Sequence, residues 1–329
     1  MSKTGWIILI VCLCLVFCLF TGLFLAKRIA AVLFPDQNGS RVEISDTKDY
    51  KDLKNAFSAD GVYTVQMKDL KELSIDWISG SVTIEITDGD VVRIQEVSDR
   101  AIQEKNALRY GVSGGKLRIQ ACKRGYVGKL PEKELTVSLP RALADTLKDC
   151  EIDTVSAAIS AEGLRLDELD IDTVSGRVTL QDMAADEAEF DTVSGDVTLR
   201  GCAFSTLRLD SVSGLASVTG AARKVKTSSV SGSIQLYLDD STEIRVNTLS
   251  GHVVLSLSKV PKEVQVDTSS GHIDIDLPQD ASCSIQLDSM SGKLLLNMQE
   301  IPSKQITLGQ GTAEFDIDSM SGDVWVSTK

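Results

Sequence analysis

The sequence predicts an all-β fold, a single-stranded β-solenoid (β-helix-like) of about nine to ten coils, with one N-terminal transmembrane helix. Three observations predict it. An uncharged apolar run occupies residues 6–26, a serine-glycine pair recurs about every nineteen residues, and apolar residues alternate on both sides of each pair.

The run from Trp6 to Ala26 holds twenty-one residues and no charge. As a helix it spans about 30 Å, the thickness of a bilayer's hydrocarbon core. A cleaved signal peptide has a shorter apolar stretch, roughly 7–15 residues, ending at a small-residue site. Here Lys27 and Arg28 follow the run directly, which favours an uncleaved anchor. Lys3 on one flank and Lys27 with Arg28 on the other leave the positive-inside rule nearly tied. The fold of the body and its lack of cytosolic chemistry place it outside the cell membrane. Residues 1–5 are then a short tail, 6–26 the membrane span, 27–60 a polar linker and 61–329 the solenoid.

Serine-glycine pairs begin at Ser175, Ser194, Ser213, Ser231, Ser250, Ser270 and Ser291, at nearly even intervals. Ser156 stands one step earlier, before Ala157, and Ser79 heads an isolated early copy. Ser321 follows Ser291 after a gap half as long again, so about ten extra residues loop out between them. Three and five positions after each serine the residues are aliphatic, as in Val178 and Leu180 or Val253 and Leu255. Six and four positions before it they are apolar in nearly every copy, as in Leu169 and Ile171. A period of two marks a strand on each flank.

The apolar parity switches from even to odd across the motif, so the chain bends there. The Asp-Thr-Val stretch is read as the corner, because Asp, Ser and Thr hydrogen-bond nearby backbone in turns. A second corner is expected in stretches such as 181–187. One coil buries too little apolar surface to stand alone, whereas coils stacked about 4.8 Å apart make a rod roughly 45 Å long. Residues 87–149 interrupt the repeat, with strands of their own at 91–94, 116–120 and 134–139. They are expected to form irregular coils or a cap over an otherwise open edge. Residues 150–329 carry the regular repeats.

In the repeated Asp-Thr-Val-Ser-Gly, and in Leu-Thr-Val-Ser-Leu-Pro at 135–140 ahead of the array, the chain resembles the DUF4097 family. Members of that family are labelled putative adhesins. The resemblance covers most of 61–329. It implies a β-helix-like fold, often behind an N-terminal membrane helix, and for some members a place beside envelope-stress signalling genes. The family has no established catalytic residues, so the resemblance assigns none here.

The formal net charge is −13, and residues 1–35 contain no acid. So acidic a body lacks the clustered Lys and Arg that nucleic acid requires. Two groups are candidate metal ligands. Asp153, Asp172, Asp191 and Asp210 stand three positions before successive repeat serines and would stack as a ladder. Either they hydrogen-bond the corners or a hard cation such as calcium bridges them. The glycine-rich nonapeptide of calcium β-rolls is absent, which favours the corner role. His252 and His272, the chain's two histidines, each lie two positions after a repeat serine and would share a face on adjacent coils. The residues at that position vary from coil to coil, which marks it as outward-facing.

The repeat serines have no histidine at matching spacing, so they read as scaffold rather than nucleophiles. Cys122, Cys150, Cys202 and Cys283 show no CxxC spacing and read as small buried hydrophobes. Cys122 with Cys150 is the one pair considered as a disulfide. The function expected is that of a non-enzymatic, membrane-anchored envelope protein, needing no cofactor, that presents a repetitive surface for binding or adhesion to a protein or a cell-wall glycan. The alternatives are an accessory or sensory component of an envelope-stress system and, last, a polysaccharide-active enzyme.

Overall fold

The computed structural model describes residues 57–123 and 130–329. The expected membrane span and nearly all of the linker lie outside the described residues. Among the described residues no helix is long and apolar enough to cross a membrane.

The body begins with β1 (Val62–Val65). β2 (Glu72–Trp77) then turns at Ile78-Ser79 into β3 (Gly80–Thr87). The interrupted stretch holds β4 (Val92–Val97), β5 (Arg109–Ser113), β6 (Lys116–Gln120) and β7 (Lys133–Pro140). Pro140 ends β7, and the single-turn helix α1 (Arg141–Ala144) leads into the regular coils. These run through β8 (Asp149–Thr154), β9 (Ala158–Glu162), β10 (Arg165–Thr173), β11 (Val178–Gln181), β12 (Ala184–Thr192), β13 (Val197–Ser211), β14 (Ala216–Ser229), β15 (Ile234–Leu238), β16 (Glu243–Thr248), β17 (Val253–Leu257), β18 (Glu263–Thr268) and β19 (Ile273–Leu277). The last stretch comprises β20 (Cys283–Ser289), β21 (Leu294–Leu296), β22 (Gln299–Glu300), β23 (Gln305–Leu308), β24 (Ala313–Ser319) and β25 (Val324–Thr328).

Strands that precede the motif form one parallel stack, and strands that follow it form another. Coil by coil, identical motif positions pair: Asp172 lies beside Asp153 and Asp191, and Val178 beside Ile159 and Val197. The aliphatic positions point inward as their parity requires. Ile171, Val178, Val246, Val253 and Ile273 are all at most 1% exposed. Among the described residues Phe190 and Phe315 supply the two largest fully buried side chains.

A third bend escapes the simple two-strand reading. In β10 Leu166 and Leu169 are buried while Asp167 and Glu168 between them both face out. β12 repeats this at Asp186-Glu187 and β14 at Arg223-Lys224. Two successive outward residues cannot lie on a straight strand, whose faces alternate. Each such coil therefore has three sides, with the expected second corner narrowed to Asp182-Met183 between β11 and β12.

The motif corner is built differently from the expectation. The aspartate lies within the strand, and the bend begins only after the Thr or Ser that follows it. That Thr or Ser is buried, and its hydroxyl oxygen accepts the N–H of the repeat glycine. The bond measures 2.9 Å from Gly176 to Thr173, 2.8 Å from Gly195 to Thr192 and 2.7 Å from Gly322 to Ser319. The repeat serine donates its own hydroxyl to the coil before, as Ser175 does to the Val155 carbonyl and Ser194 to the Val174 carbonyl, both at 3.3 Å. The glycine is required by proximity rather than by torsion. A Cβ on Gly195 would lie 2.0 Å from the Gly176 carbonyl oxygen, and one on Gly251 would lie 2.0 Å from that of Gly232.

Order along the rod differs from order along the chain at both ends. At the N-terminal end β2 lies between β6 and β8, and β3 between β7 and β9. The interrupted stretch thus supplies a complete outermost coil that lacks the motif, and brings the total among the described residues to eleven layers. At the C-terminal end β24 lies between β18 and β20, and β25 between β19 and β21. The last coil in sequence is therefore the penultimate coil in space. Antiparallel strands close the ends: β5 on β6, β4 on β7 with β1 beyond it, β23 on β20 and β22 on β21. Ladder N–H and C=O groups at the ends of a parallel stack would otherwise stand open to another chain. The extra residues between Ser291 and Ser321 are thus the source of two of these closing strands.

Cross-linking tests the interleaved order. Gln265 on β18 pairs with Asp316 on β24, which pairs in turn with Gln286 on β20. Neighbouring strands put Cα atoms about 5 Å apart, within the roughly 4.4–6.8 Å a disulfide spans, while second neighbours are about 10 Å apart. Gln265→Cys with Asp316→Cys is expected to oxidise to an intramolecular disulfide, and Gln265→Cys with Gln286→Cys to stay reduced. The reverse result, read by mass spectrometry, would mean the coils stack in chain order.

Cys150, Cys202 and Cys283 are buried and Cys122 is partly buried; all four are free thiols. The Cys122–Cys150 disulfide considered above is not formed. Burial pushes the Cys283 thiol up to about 11 and that of Cys150 up to about 12, which suits inert filler.

Candidate functional site

The aspartate ladder exists, and it is one row of a larger array. β8, β10 and β12 lie side by side in register, and three matched positions on each turn an acid outward. Asp149, Glu151 and Asp153 on β8 stand beside Glu168, Asp170 and Asp172 on β10, and those beside Glu187, Glu189 and Asp191 on β12. The spacing between strands is about 4.8 Å. The array ends where β13 brings a cation. Arg208 donates to Asp210 at 3.1 and 3.0 Å and lies 3.4 Å from Glu189.

This crowding has an electrostatic consequence. Burial, followed by the neighbouring Asp172 and Glu189 carboxylates, pushes Asp170 up to about 7. Burial, then Asp210 and Asp172, does the same to Asp191, against the pull of Arg208. Asp267, facing Asp318 across β18 and β24, is raised to about 6, again chiefly by burial. An acid raised in the folded chain favours the protonated form. Its stabilising contribution is therefore full below the unfolded value near 4 and is lost as pH rises through the folded value. Melting temperature is expected to fall from pH 5 to pH 8. The double variant Asp170→Asn with Asp191→Asn should flatten that fall, gaining about 1 kcal/mol at pH 8 and less at pH 5. The gain is modest because both carboxylates are only partly buried and solvent screens them. Equal pH slopes for variant and parent would refute the assignment.

His252 and His272 are also brought together. They directly precede β17 and β19, which pair, and their ring centroids are 5.5 Å apart. The residue between them is one the sequence reading did not single out, Asp274. Its two carboxylate oxygens lie 2.8 Å from His252 Nε2 and 3.0 Å from His272 Nε2. The register predicts it, because position 274 shares the outward face of β19 two residues after His272. Trp325 on β25 sets its ring edge-on to His272, with centroids 4.7 Å apart.

A third polar cluster lies in the interrupted stretch, at the N-terminal end of the rod. Lys133 and Glu96 are each 2% exposed and form an ion pair at 2.9 Å. Glu96 accepts further bonds from the Tyr63 hydroxyl and the Leu108 N–H. Lys133 also donates to the Asn106 and Ala121 carbonyls and lies 4.9 Å from the centroid of the Trp77 ring. Both charges are buried and paired with each other, so the cluster holds structure together.

The chain matches the model of the family described as Toastrack DUF4097 over residues 70–327. Solved structures with a similar course include a "putative lipid binding protein" from Parabacteroides distasonis, with 15% identity and a TM-score of 0.47, covering 82% of this chain and 96% of that one. A "putative adhesin" from Bacteroides fragilis has 13% identity and a TM-score of 0.40, covering 80% and 95%. A "putative cell adhesion protein" from Clostridium sporogenes has 14% identity and a TM-score of 0.21, covering 82% and 98%. No curated protein matches the chain.

Proposed function

The chain belongs to the Toastrack DUF4097 family, and we propose that it is a non-enzymatic cell-envelope protein, held to the membrane by residues 6–26, whose solenoid displays a surface for binding. The observation that carries this reading is the contrast between the inside and the outside of the coils. Inward positions are mostly aliphatic side chains from coil to coil, while outward positions change. Where neighbouring coils agree, they write large ordered arrays such as the nine carboxylates at matched positions on β8, β10 and β12. A surface of that kind offers many equivalent contacts along one axis, as solenoids do. The repeat serines support the non-enzymatic part, since their hydroxyls are bound to carbonyls of the neighbouring coil.

The test is capture by a soluble fragment of residues 57–329. Presented with isolated cell-wall material and with solubilised membranes, it should retain a wall glycan or a surface protein. Retention should weaken when Glu168, Asp170 and Asp172 are replaced by Asn or Gln. Recovery of a membrane signalling protein alone would favour the accessory role in an envelope-stress system. Hydrolysis of the captured glycan would overturn the non-enzymatic reading.

A further inference from the structure

We propose that His252, His272 and Asp274 bind one divalent transition-metal ion of the zinc class. The spacing of the two histidines in sequence equals the length of the coil that separates them, so both occupy the same position on adjacent layers. Their ligating nitrogens and the Asp274 oxygens all lie within 4.8 Å of one another. A tetrahedral ion with bonds of about 2.0–2.2 Å needs ligand atoms about 3.4 Å apart. Small rotations about the side-chain torsions close that difference without moving the backbone.

The backbone is fixed on both sides of the site. Val253 N–H donates to the His272 carbonyl at 2.9 Å, and Ile234 N–H to the His252 carbonyl at 2.9 Å. Val253 and Ile273, next in sequence to the two histidines, are fully buried and pin the start of each strand. The edge contact with Trp325 restricts the His272 ring. All three ligands keep between 32% and 44% of their side-chain surface exposed, which leaves an entry path and a fourth position for water. Two imidazoles and one carboxylate suit zinc, cobalt, nickel or copper. Calcium and magnesium demand oxygen ligands throughout. The inference does not depend on the display role or on the membrane span.

The competing account is a plain hydrogen-bonded cluster in which Asp274 accepts from both rings. The two differ in what metal does. The purified full chain, stripped with chelator and dialysed, is titrated with zinc chloride by calorimetry at pH 7.5. One equivalent is expected to bind. His272→Gln and His252→Gln should each reduce the affinity by about a hundredfold while leaving the metal-free melting temperature unchanged. Asp170→Asn with Asp191→Asn should leave it intact. Cobalt should give the visible absorption of a tetrahedral site, lost in either histidine variant. Zinc binding that survives both histidine substitutions, or calcium binding as tightly as zinc, would overturn the proposal. So would the absence of zinc binding at millimolar concentration.

Discussion

Replacing Gly251 by alanine is expected to destabilise the solenoid by about 3–5 kcal/mol, although the change adds one methyl group. The new Cβ would stand 2.0 Å from the Gly232 carbonyl oxygen and 2.9 Å from Thr248 Oγ1, the acceptor of Gly251's own N–H. The nearer obstacle is backbone, so no rotamer change relieves it. Overpacking a core with side chains on both sides costs about 1–3 kcal/mol. Here the strain must instead separate adjacent layers whose ladder bonds are worth about 1 kcal/mol each. Gly251 also receives the layer above, because a Cβ on Gly271 would meet the Gly251 oxygen at 2.1 Å. Position in the stack should decide the size of the effect. Gly292 has the same contact, 2.1 Å to the Gly322 oxygen, but belongs to the outermost motif coil. Gly292→Ala can be relieved by displacing that coil alone, and about 1–2 kcal/mol is expected. Ala157 occupies the glycine's place in the first regular coil, below which Gly80 takes a left-handed φ of 96° and a different path. Ala157→Gly is therefore expected to cost no more than about 1 kcal/mol. Urea unfolding of the three variants measures the ranking, and a Gly251→Ala protein as stable as its parent would refute the ladder.

That ranking shows which parts of the structure are legible in the sequence. The inward positions are legible, because a side-chain period of two survives any rearrangement of whole coils. So are the stacking of equivalent positions and the strands near 116–120 and 134–139. The role of the motif residues is only partly legible. Both Asp and Thr cap corners in general, and the pattern alone does not say which one turns inward. Parity does: the Thr lies an even number of positions from the buried aliphatics, as at Thr173 beside Ile171. The order of the coils is not legible at all. The final two copies carry the same Asp-Ser-Met-Ser-Gly at 288–292 and 318–322, so either fits against β18. The choice rests on the closing strands β22 and β23, which are too short to announce themselves. The histidine pair is legible as a juxtaposition, whereas Asp274 becomes a partner only once the register sets it on the same face.

Lys133→Met is the second large effect, expected to cost about 3–5 kcal/mol, because it strands a carboxylate where no water reaches. Glu96 would remain buried with only neutral donors, the Tyr63 hydroxyl and the Leu108 N–H. Removing one member of a buried pair is more damaging than removing both charges. The double variant Lys133→Met with Glu96→Gln is therefore expected to recover about half of the loss. Glutamine's oxygen still accepts from Leu108 and Tyr63, while the carbonyls of Asn106 and Ala121 stay without the ammonium that served them. Trp77 adds to the cost, since its indole N–H donates at 3.0 Å to the Lys133 carbonyl and its ring lies against the ammonium. A surface pair offers the control. Lys148 and Asp167 meet at 2.6 Å but are each more than half exposed, and Lys148→Met should leave stability nearly unchanged. The location gives the prediction its meaning. β7, which carries Lys133, is the strand on which β3 stacks, and β4, which carries Glu96, is the antiparallel strand that closes it. The ion pair thus fastens the closing strand to the first layer. Hydrogen exchange in Lys133→Met should accelerate first in β4 and β7 and last in β16 to β19, where layers are held from both sides. Uniform acceleration along the rod would mean that the end and the middle unfold as one unit, and the fastening role would fall.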